Sequence, residues 1–459
     1  MADTPLPNSM AARDAASLLH PYTNAVANEA DGPLVIARGE GVHVFDESGK
    51  QYIEGMSGLW CAALGFSNER LAEAAARQMR TLGFYHGFNQ RSHTPQIELA
   101  ERLLALAPVP MSRVFFANSG SEANDTAIKL IWYRNNALGL PDKKKIIGRV
   151  KGYHGVTVAA ASVTGTPINH GKFDLPLDGF LHTDCPYYYR LAEPGESEED
   201  YATRLAGNLD ALIEAEGPGT VAAFFAEPVM GAGGVLIPPA TYFEKIQKVL
   251  RKHDVLLVCD EVICGFGRTG NMWGAETYGI VPDIMTCAKA LTSGYIPISA
   301  LLISEQVYRP IAAQSAGEGV LGHGYTYSGH PVAAAVALET LDIYEEIGLV
   351  ETVRARAPAM KAGIETFAGH PLVGETAAVG MLAVAELVAD KKTRQAFEPS
   401  RRVSAYLLDR ALEHGLIVRA LGDRIAFSPP LIMQDGQIAD MFYRFGRALD
   451  DTRSWLEKC

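Results

Sequence analysis

The sequence predicts an α/β protein built on a mostly parallel sheet, and three observations predict it. From about residue 65 to 330, short apolar runs alternate with helical segments, the pattern of parallel strands covered on both faces by their crossover helices. The chain has 459 residues, 48% of them apolar, enough for one large core and a second, smaller one. Several of the apolar runs end in polar residues of different chemistry, which places those residues at the sheet edge where open α/β sheets bind ligands.

Taken in order, an N-terminal arm leads to the alternating run Gly41-Val42-His43-Val44-Phe45-Asp46. Glu47-Ser48-Gly49-Lys50 separates it from Gln51-Tyr52-Ile53-Glu54, and the pair reads as a hairpin or meander. The sheet proper is predicted from Arg113 to Ala117, Lys145 to Gly148, Val221 to Ala226, Val255 to Cys259, Ile284 to Ala288 and Ser299 to Ile303. Two stretches break the alternation and read as surface loops: the acidic run Glu193 to Asp200 and the Gly-rich run Ser315 to Gly324. An Ala-rich helix follows Pro331 and leads into an α+β region with strands near Met381 to Leu387 and Ile425 to Ser428. The division expected is 1–64 for the arm and part of a small domain, 65–330 for the large domain, and 331–459 for the rest of the small domain.

Composition narrows the function. Forty-one Lys plus Arg against 53 Asp plus Glu give a net charge of −12, which argues against nucleic acid or an anionic membrane as partner. No continuous apolar run reaches the roughly 18 residues of a membrane span. The first residues lack a basic start followed by an apolar stretch, so no signal peptide is expected. Cys61, Cys185, Cys259, Cys264, Cys287 and Cys459 are scattered without a CxxC pair and read as reduced thiols of a cytoplasmic protein. A soluble protein acting on small molecules is the simplest reading.

The chemistry lies at the strand ends. Asp260 closes one apolar run and Lys289 closes the next, 29 residues on, a spacing that suits a strand, a loop and a strand and so brings both to one edge. A lysine ending an apolar strand is costly to desolvate unless its pKa falls, and a lowered pKa makes it a nucleophile towards aldehydes. Those are parts of a pyridoxal-phosphate site. Asn118-Ser119, Tyr153 and Glu227 end the other runs. Ser119 and Glu122 fit a capping box, while Gly120 and Ser121 would present backbone N–H groups at the positive end of a helix, as phosphate binding requires. No lysine and Ser/Thr follow in nucleotide-loop spacing. Gly265-Phe266-Gly267-Arg268-Thr269-Gly270 matches GxGxxG, but Asn271 to Gly274 do not look like a helix start and Asp283 begins the next strand rather than ending it, so the dinucleotide reading fails.

With these residues in place, the chain resembles the class III pyridoxal-phosphate aminotransferases, the ω-amine:pyruvate transaminase group of fold type I. The likeness covers nearly the whole sequence: His20 to Thr23, Gly58 to Cys61, Asn118 to Asp125, Gly152 to Gly155, Glu227 to Gly234, Asp260 to Gly270, Ala288-Lys289, His323 to Pro331 and Arg419 to Asp423. It implies a large domain with a seven-stranded, mostly parallel sheet, a smaller α+β domain built from both chain ends, and pyridoxal 5'-phosphate (PLP) as cofactor, with no metal.

By the same resemblance Lys289 would carry the cofactor and Asp260 would pair with its ring nitrogen, with Glu227 orienting Asp260 and the ring hydroxyl. Ser119, Gly120 and Ser121 would hold the phosphate together with Thr326 from the partner of a homodimer, or of a tetramer. Tyr153 and Val262 would cover the ring faces, and His154 would belong to the cofactor shell. Tyr22, Leu59, Trp60, Phe88 and Ala232 would line the substrate pocket, and Arg419 would meet a carboxylate through its bidentate fork.

The implied activity is ping-pong transfer of an amino group from a primary amine or ω-amino acid to a keto acid, pyruvate, through PLP and its amine form. An aminomutase or decarboxylase of the same fold is the alternative, and a non-catalytic protein is opposed by Lys289, Asp260 and Glu227. Where the family commonly has an arginine and a glycine, this chain has Ala377 and Ala378, which puts in doubt a salt bridge or tight turn there.

Overall fold

A computed structural model describes residues 8–458. Its centre is a seven-stranded sheet: β1 (Arg113–Ala117), β2 (Lys145–Arg149), β3 (Phe180–Thr183), β4 (Val221–Ala226), β5 (Leu256–Asp260), β6 (Ile284–Cys287) and β7 (Ser299–Ile303). The spatial order is β1-β7-β6-β5-β4-β2-β3. All neighbours pair in parallel except β7, which is antiparallel to both β1 and β6. β4 and β5 are buried at every residue, which is why they read as continuous apolar runs rather than alternating ones. Helices cover both faces and give the sheet a separate hydrophobic cluster on each side.

Reversing β7 alone leaves β1, β2, β4, β5 and β6 with their C-terminal ends at one edge. The strand-end residues Asn118, Glu227, Asp260 and Lys289 therefore converge.

The smaller part draws on both chain ends. Strands Ile36–Glu40, His43–Asp46 and Gln51–Glu54 form an antiparallel meander, with Val44 opposite Tyr52. Leu416–Ile417 joins it in parallel beside Ile53 and Glu54. A second antiparallel sheet holds Val373–Val379, Leu382–Leu387, Arg424–Phe427 and Arg419–Leu421. Arg424 ties this sheet to the large part: it donates to Glu386 (2.5 Å), Glu375 (2.6 Å), the Tyr187 hydroxyl (2.6 Å) and the Gly234 carbonyl (2.6 Å).

Several expectations change. The acidic run is a loop only as far as its capping residue. Ser197 caps the helix Glu198–Glu216, and Glu198, Glu199 and Asp200 form its first turn, where carboxylates meet the positive end of the helix dipole. The Gly-rich run is likewise half helical, because Glu305–Glu318 continues through Ser315 before Gly319 ends it in a left-handed conformation. A five-residue helix opens at Gly274, where none was expected. It starts four residues after Gly270, so the GxGxxG run still does not lead directly into a helix. Ala377 and Ala378 lie in mid-strand opposite Val384 and Ala383, so no tight turn is needed there, and the ion pair this strand makes, to Arg424 two strands away, comes from Glu375. Met1 to Pro7 and Cys459 lie outside the described residues.

Candidate active site

The edge of the sheet holds a cavity of about 280 Å³. Each wall follows from a strand end. β1 runs into Asn118 and Ser119, and Ser119 caps the helix α1 (Gly120–Ala137) by accepting from the Glu122 N–H at 3.2 Å. The expected capping box is altered: Glu122 reaches past Ser119 to the Asn118 backbone N–H (2.7 Å) and side-chain amide (2.9 Å). The N–H groups of Gly120 and Ser121 have no hydrogen-bond partner among the described residues and sit on the cavity wall. A Cβ on Gly120 would stand 3.0 Å from both methyls of Val262, so only glycine lets α1 start this close to the segment after β5. Gly155, at φ +135°, passes as tightly against Ser121. Ser121 Oγ accepts the Val156 N–H at 3.1 Å, fixing the 153–157 loop beside α1.

Asp260 closes β5 at the cavity floor, buried. Its Oδ2 accepts from the Asn124 amide (2.8 Å) and His154 Nδ1 (2.9 Å), while Oδ1 accepts only the Val262 N–H (3.0 Å). Asn124 is held in turn by the Thr286 hydroxyl at 2.9 Å and itself donates to the His154 carbonyl at 2.7 Å. Glu227 was expected to orient Asp260 and does not bond it. Its carboxylate accepts the Tyr153 N–H (3.0 Å) and the Gly231 N–H (3.1 Å), because the chain after β4 turns back over its own end. Burial raises the Glu227 pKa and nearby Asp260 adds to the rise, against His154.

Lys289 lines the cavity, with φ +51°, a left-handed conformation that costs a non-glycine residue about 1–2 kcal/mol. Its ammonium has no hydrogen bond or ion pair among the described residues. Burial lowers its pKa below the ordinary 10.5, only partly opposed by Cys61, Asp260 and Glu227. Strain and an unpaired buried amine at one position mark a residue kept for its reactivity.

The expected pocket residues divide into groups. Tyr153 and Val262 line the cavity, as do His154 and Ser119. Burial and the neighbouring Tyr22 hydroxyl raise the Tyr153 pKa, opposed by the Arg419 guanidinium, which brings the N-terminal arm and the small sheet to the same mouth. The Tyr22 hydroxyl also accepts from the Asn169 amide at 2.5 Å. Arg419 is half-buried and has no ion pair among the described residues. Leu59 is exposed, whereas Trp60 is only 3% exposed and packs among Val229, Val235, Ile263 and Leu382. The cavity wall at that point is Cys61. Ala232 is half-buried on the turn after Glu227. Phe88 and Thr326 lie away from the cavity of this chain. Phe88 lines a groove with Gly324 and Thr326 is exposed. Sequence reasoning missed Cys61 and Asn124 as individual residues. Asn124 had a signal, an amide one helical turn past Gly120 and so on the same face of α1.

The chain belongs to the class III aminotransferases: the family model described as Aminotransferase class-III matches residues 25–449. It is similar to "Gamma aminobutyrate transaminase 3, chloroplastic" of Solanum lycopersicum, 48% identical over 462 residues that cover 99% of this chain and 89% of that one. "Vanillin aminotransferase" of Capsicum frutescens is 47% identical, with 96% of each chain covered. Among solved structures, the omega transaminase from Pseudomonas jessenii in complex with PMP superposes with a TM-score of 0.97 at 56% identity, over 98% of this chain and 99% of that one.

Class III aminotransferases use PLP, and the residues present fit it. An unpaired lysine stands at one side of the cavity, Asp260 Oδ1 keeps lone-pair capacity for a ring N–H, and two free N–H groups open α1. Gly120→Ala tests the fit. The added methyl forces Val262 or the start of α1 to move, and cofactor retention on dialysis should weaken by about tenfold, the effect of roughly 1.4 kcal/mol. Retention equal to that of the unmodified protein would show the close approach to be dispensable.

Proposed function

We propose that this protein transfers the amino group of a primary amine or ω-amino acid to pyruvate, in two half-reactions at one cavity. The observation that carries the reading is the pairing of an unpaired amine, Lys289, inside the cavity with an unpaired guanidinium, Arg419, at its mouth beside Tyr153. The first suits covalent anchoring of the cofactor followed by proton transfer. The second suits a keto-acid carboxylate that must enter and leave. When bound, PLP supplies the electron sink for the carbon–hydrogen bond being broken.

The chain's own groups do the rest. Asp260 Oδ1 holds the ring N–H, with Asn124 and His154 fixing the carboxylate. Gly120 and Ser121 bind the phosphate with their N–H groups, Ser119 ends the strand that aims them, and Tyr153 and Val262 enclose the ring. Glu227 fixes the backbone of Tyr153 and would serve as the partner of the ring hydroxyl. Lys289 Nζ moves the proton. Tyr22, Leu59 and Ala232 shape the amine pocket, with Trp60 packed behind the wall that Cys61 forms. Phe88 and Thr326, which lie away from this chain's own cavity, reach the site from a second copy of the chain in a homodimer.

No described helix is long and apolar enough to cross a membrane. Five described cysteines are free, which supports a reducing, cytoplasmic setting.

PLP-loaded protein should show the visible absorption of lysine-bound cofactor. An amine donor should bleach it, and pyruvate should restore it with alanine formed. Absence of bleaching by any amine would remove the reading. Arg419→Ala should raise the KM for pyruvate by about 10- to 100-fold, the worth of a charge-assisted hydrogen bond of 1.5–3 kcal/mol, and change that for an uncharged amine little. Equal effects on both would contradict a carboxylate role.

A further inference from the structure

The loop after the N-terminal meander is bent in a way its residues resist. Ser57 (φ +51°), Gly58 (φ +68°) and Trp60 (φ +66°) all lie in left-handed backbone, with Leu59 at φ −130° between them. Serine and tryptophan disfavour that region, and such a conformation persists only where surrounding contacts over-determine it. Two buried charged residues supply those contacts. Glu54, ending its strand, accepts the Gly58 N–H through Oε2. Arg268 donates from Nη2 to Ser57 Oγ at 3.3 Å and from Nη1 to the Pro429 carbonyl at 2.5 Å. Ser57 Oγ donates onward to the Ser428 carbonyl at 2.6 Å.

Arg268 is the residue that the GxGxxG run delivers. That run does not lead directly into a helix as a dinucleotide loop would. With Gly267 and Gly270 at φ +91° and +95°, it carries a 1% exposed guanidinium beneath the 57–61 loop. The Arg268 carbonyl meanwhile accepts the Met381 N–H at 3.0 Å. A single residue thus joins the loop bearing Leu59, Trp60 and Cys61 to the small sheet, where Arg419 lies on a strand paired with Arg424–Phe427.

Charges are rarely kept fully buried without a contact ion pair, and none joins Glu54 to Arg268. Burial lifts the Glu54 carboxyl to about 7 and lowers the Arg268 guanidinium to about 10, so both are held against their solvation. Resting on the reading of the cavity as an amine pocket, we propose that Glu54 and Arg268 are positioning residues that hold the 57–61 loop in its left-handed form and thereby set which amines fit. Neither touches the cavity.

The test reads the loop and the substrate preference separately. Cys61 is the described thiol that is not buried, so in a Cys459→Ser background its labelling rate in the PLP-loaded protein reports where the loop stands. Glu54→Ala should speed labelling by about tenfold, as expected when a local opening equilibrium shifts. It should also change the kcat/KM ratio of benzylamine to ethylamine by about tenfold, mainly through KM, a typical worth for one pocket contact. Glu54→Gln, which keeps an acceptor for the Gly58 N–H, should restore much of both. If Glu54→Ala does not fold, Ser57→Ala, which removes the hydroxyl joining Arg268 to Ser428, should move both readouts the same way. Unchanged labelling and unchanged preference in a folded variant would overturn the inference while leaving transamination intact. If the unmodified protein turned over no amine, only the functional reading would fail.

Discussion

Lys289→Ala protein is expected to bind PLP without the visible absorption of lysine-bound cofactor, and to lose at least about 10³-fold in kcat, since positioned proton transfer alone contributes 10²–10⁴-fold. The reasoning begins with the chain. β6 ends at Cys287, and the backbone then turns left-handed at Lys289 itself, pointing a long amine into a cavity where no described residue forms an ion pair with it. Desolvation depresses its pKa, so the amine is neutral over a wider span of pH than a surface lysine. The sign follows directly. The neutral fraction rises with pH and reaches one half below 10.5, so covalent capture of PLP by cofactor-free protein should accelerate with pH, with its midpoint below that value. Stopped-flow absorbance measures it. A midpoint at or above 10.5 would mean the amine is solvated. Lys289→Ala turning over at the normal rate would show that another group moves the proton.

The reason Lys289 and Asp260 were legible in sequence is physical: one charged residue ending a strand is usually a turn or surface residue, but parallel strands align their ends, so polar residues ending several apolar runs in series converge on one edge. β4 and β7 matched their expected limits because strands buried on both faces are written as uninterrupted apolar runs, and β1, a partly buried edge strand, matched through its apolar run Val114 to Ala117. β3 (Phe180–Thr183) escaped, because an edge strand of four residues, two of them the polar His182 and Thr183, carries no such run. Arg419–Leu421 escaped too: three residues cannot show a period, although Arg419 was singled out. What no local pattern could show is who holds whom. The expected partner of Asp260 was Glu227, yet the bonds come from α1 and from the loop after β2, elements 136 and 106 residues distant. Arg268 sat inside a motif with a familiar but inapplicable meaning, and its use depends on Ser57 and Pro429, which only the fold brings near. Trp60 was read as a pocket wall and packs as a core residue in this chain, because its left-handed backbone turns the indole toward Val229 and Leu382 and leaves the wall to Cys61.

Asp260→Asn should separate cofactor binding from chemistry. The amide is the same size and its oxygen can still accept the Val262 N–H, so the fold and the phosphate contacts should survive and PLP should remain bound. The other atom of the carboxylate is less forgiving. Oδ2 accepts from both Asn124 and His154 Nδ1, and an NH₂ group placed there meets the Asn124 donor head-on. Turning the amide over relieves that clash but sets its NH₂ against the Val262 N–H and the ring N–H. Either way the ring loses its anionic partner, and the buried pair's loss costs about 2–5 kcal/mol, equivalent to roughly 30- to 4,000-fold in rate at about 1.4 kcal/mol per decade. The fall should appear in kcat with substrate KM little changed, because the proposed role puts the carboxylate at the cofactor and not at the amine. Single-turnover bleaching by an amine donor checks it directly: slow bleaching of protein that still holds its full complement of PLP is the expected outcome. Loss of PLP at an unchanged bleaching rate would reverse the assignment and make Asp260 an anchor. Asn124→Ala provides the graded control, since it removes one of the two donors to Oδ2 while leaving the charge, and should fall between the unmodified protein and Asp260→Asn.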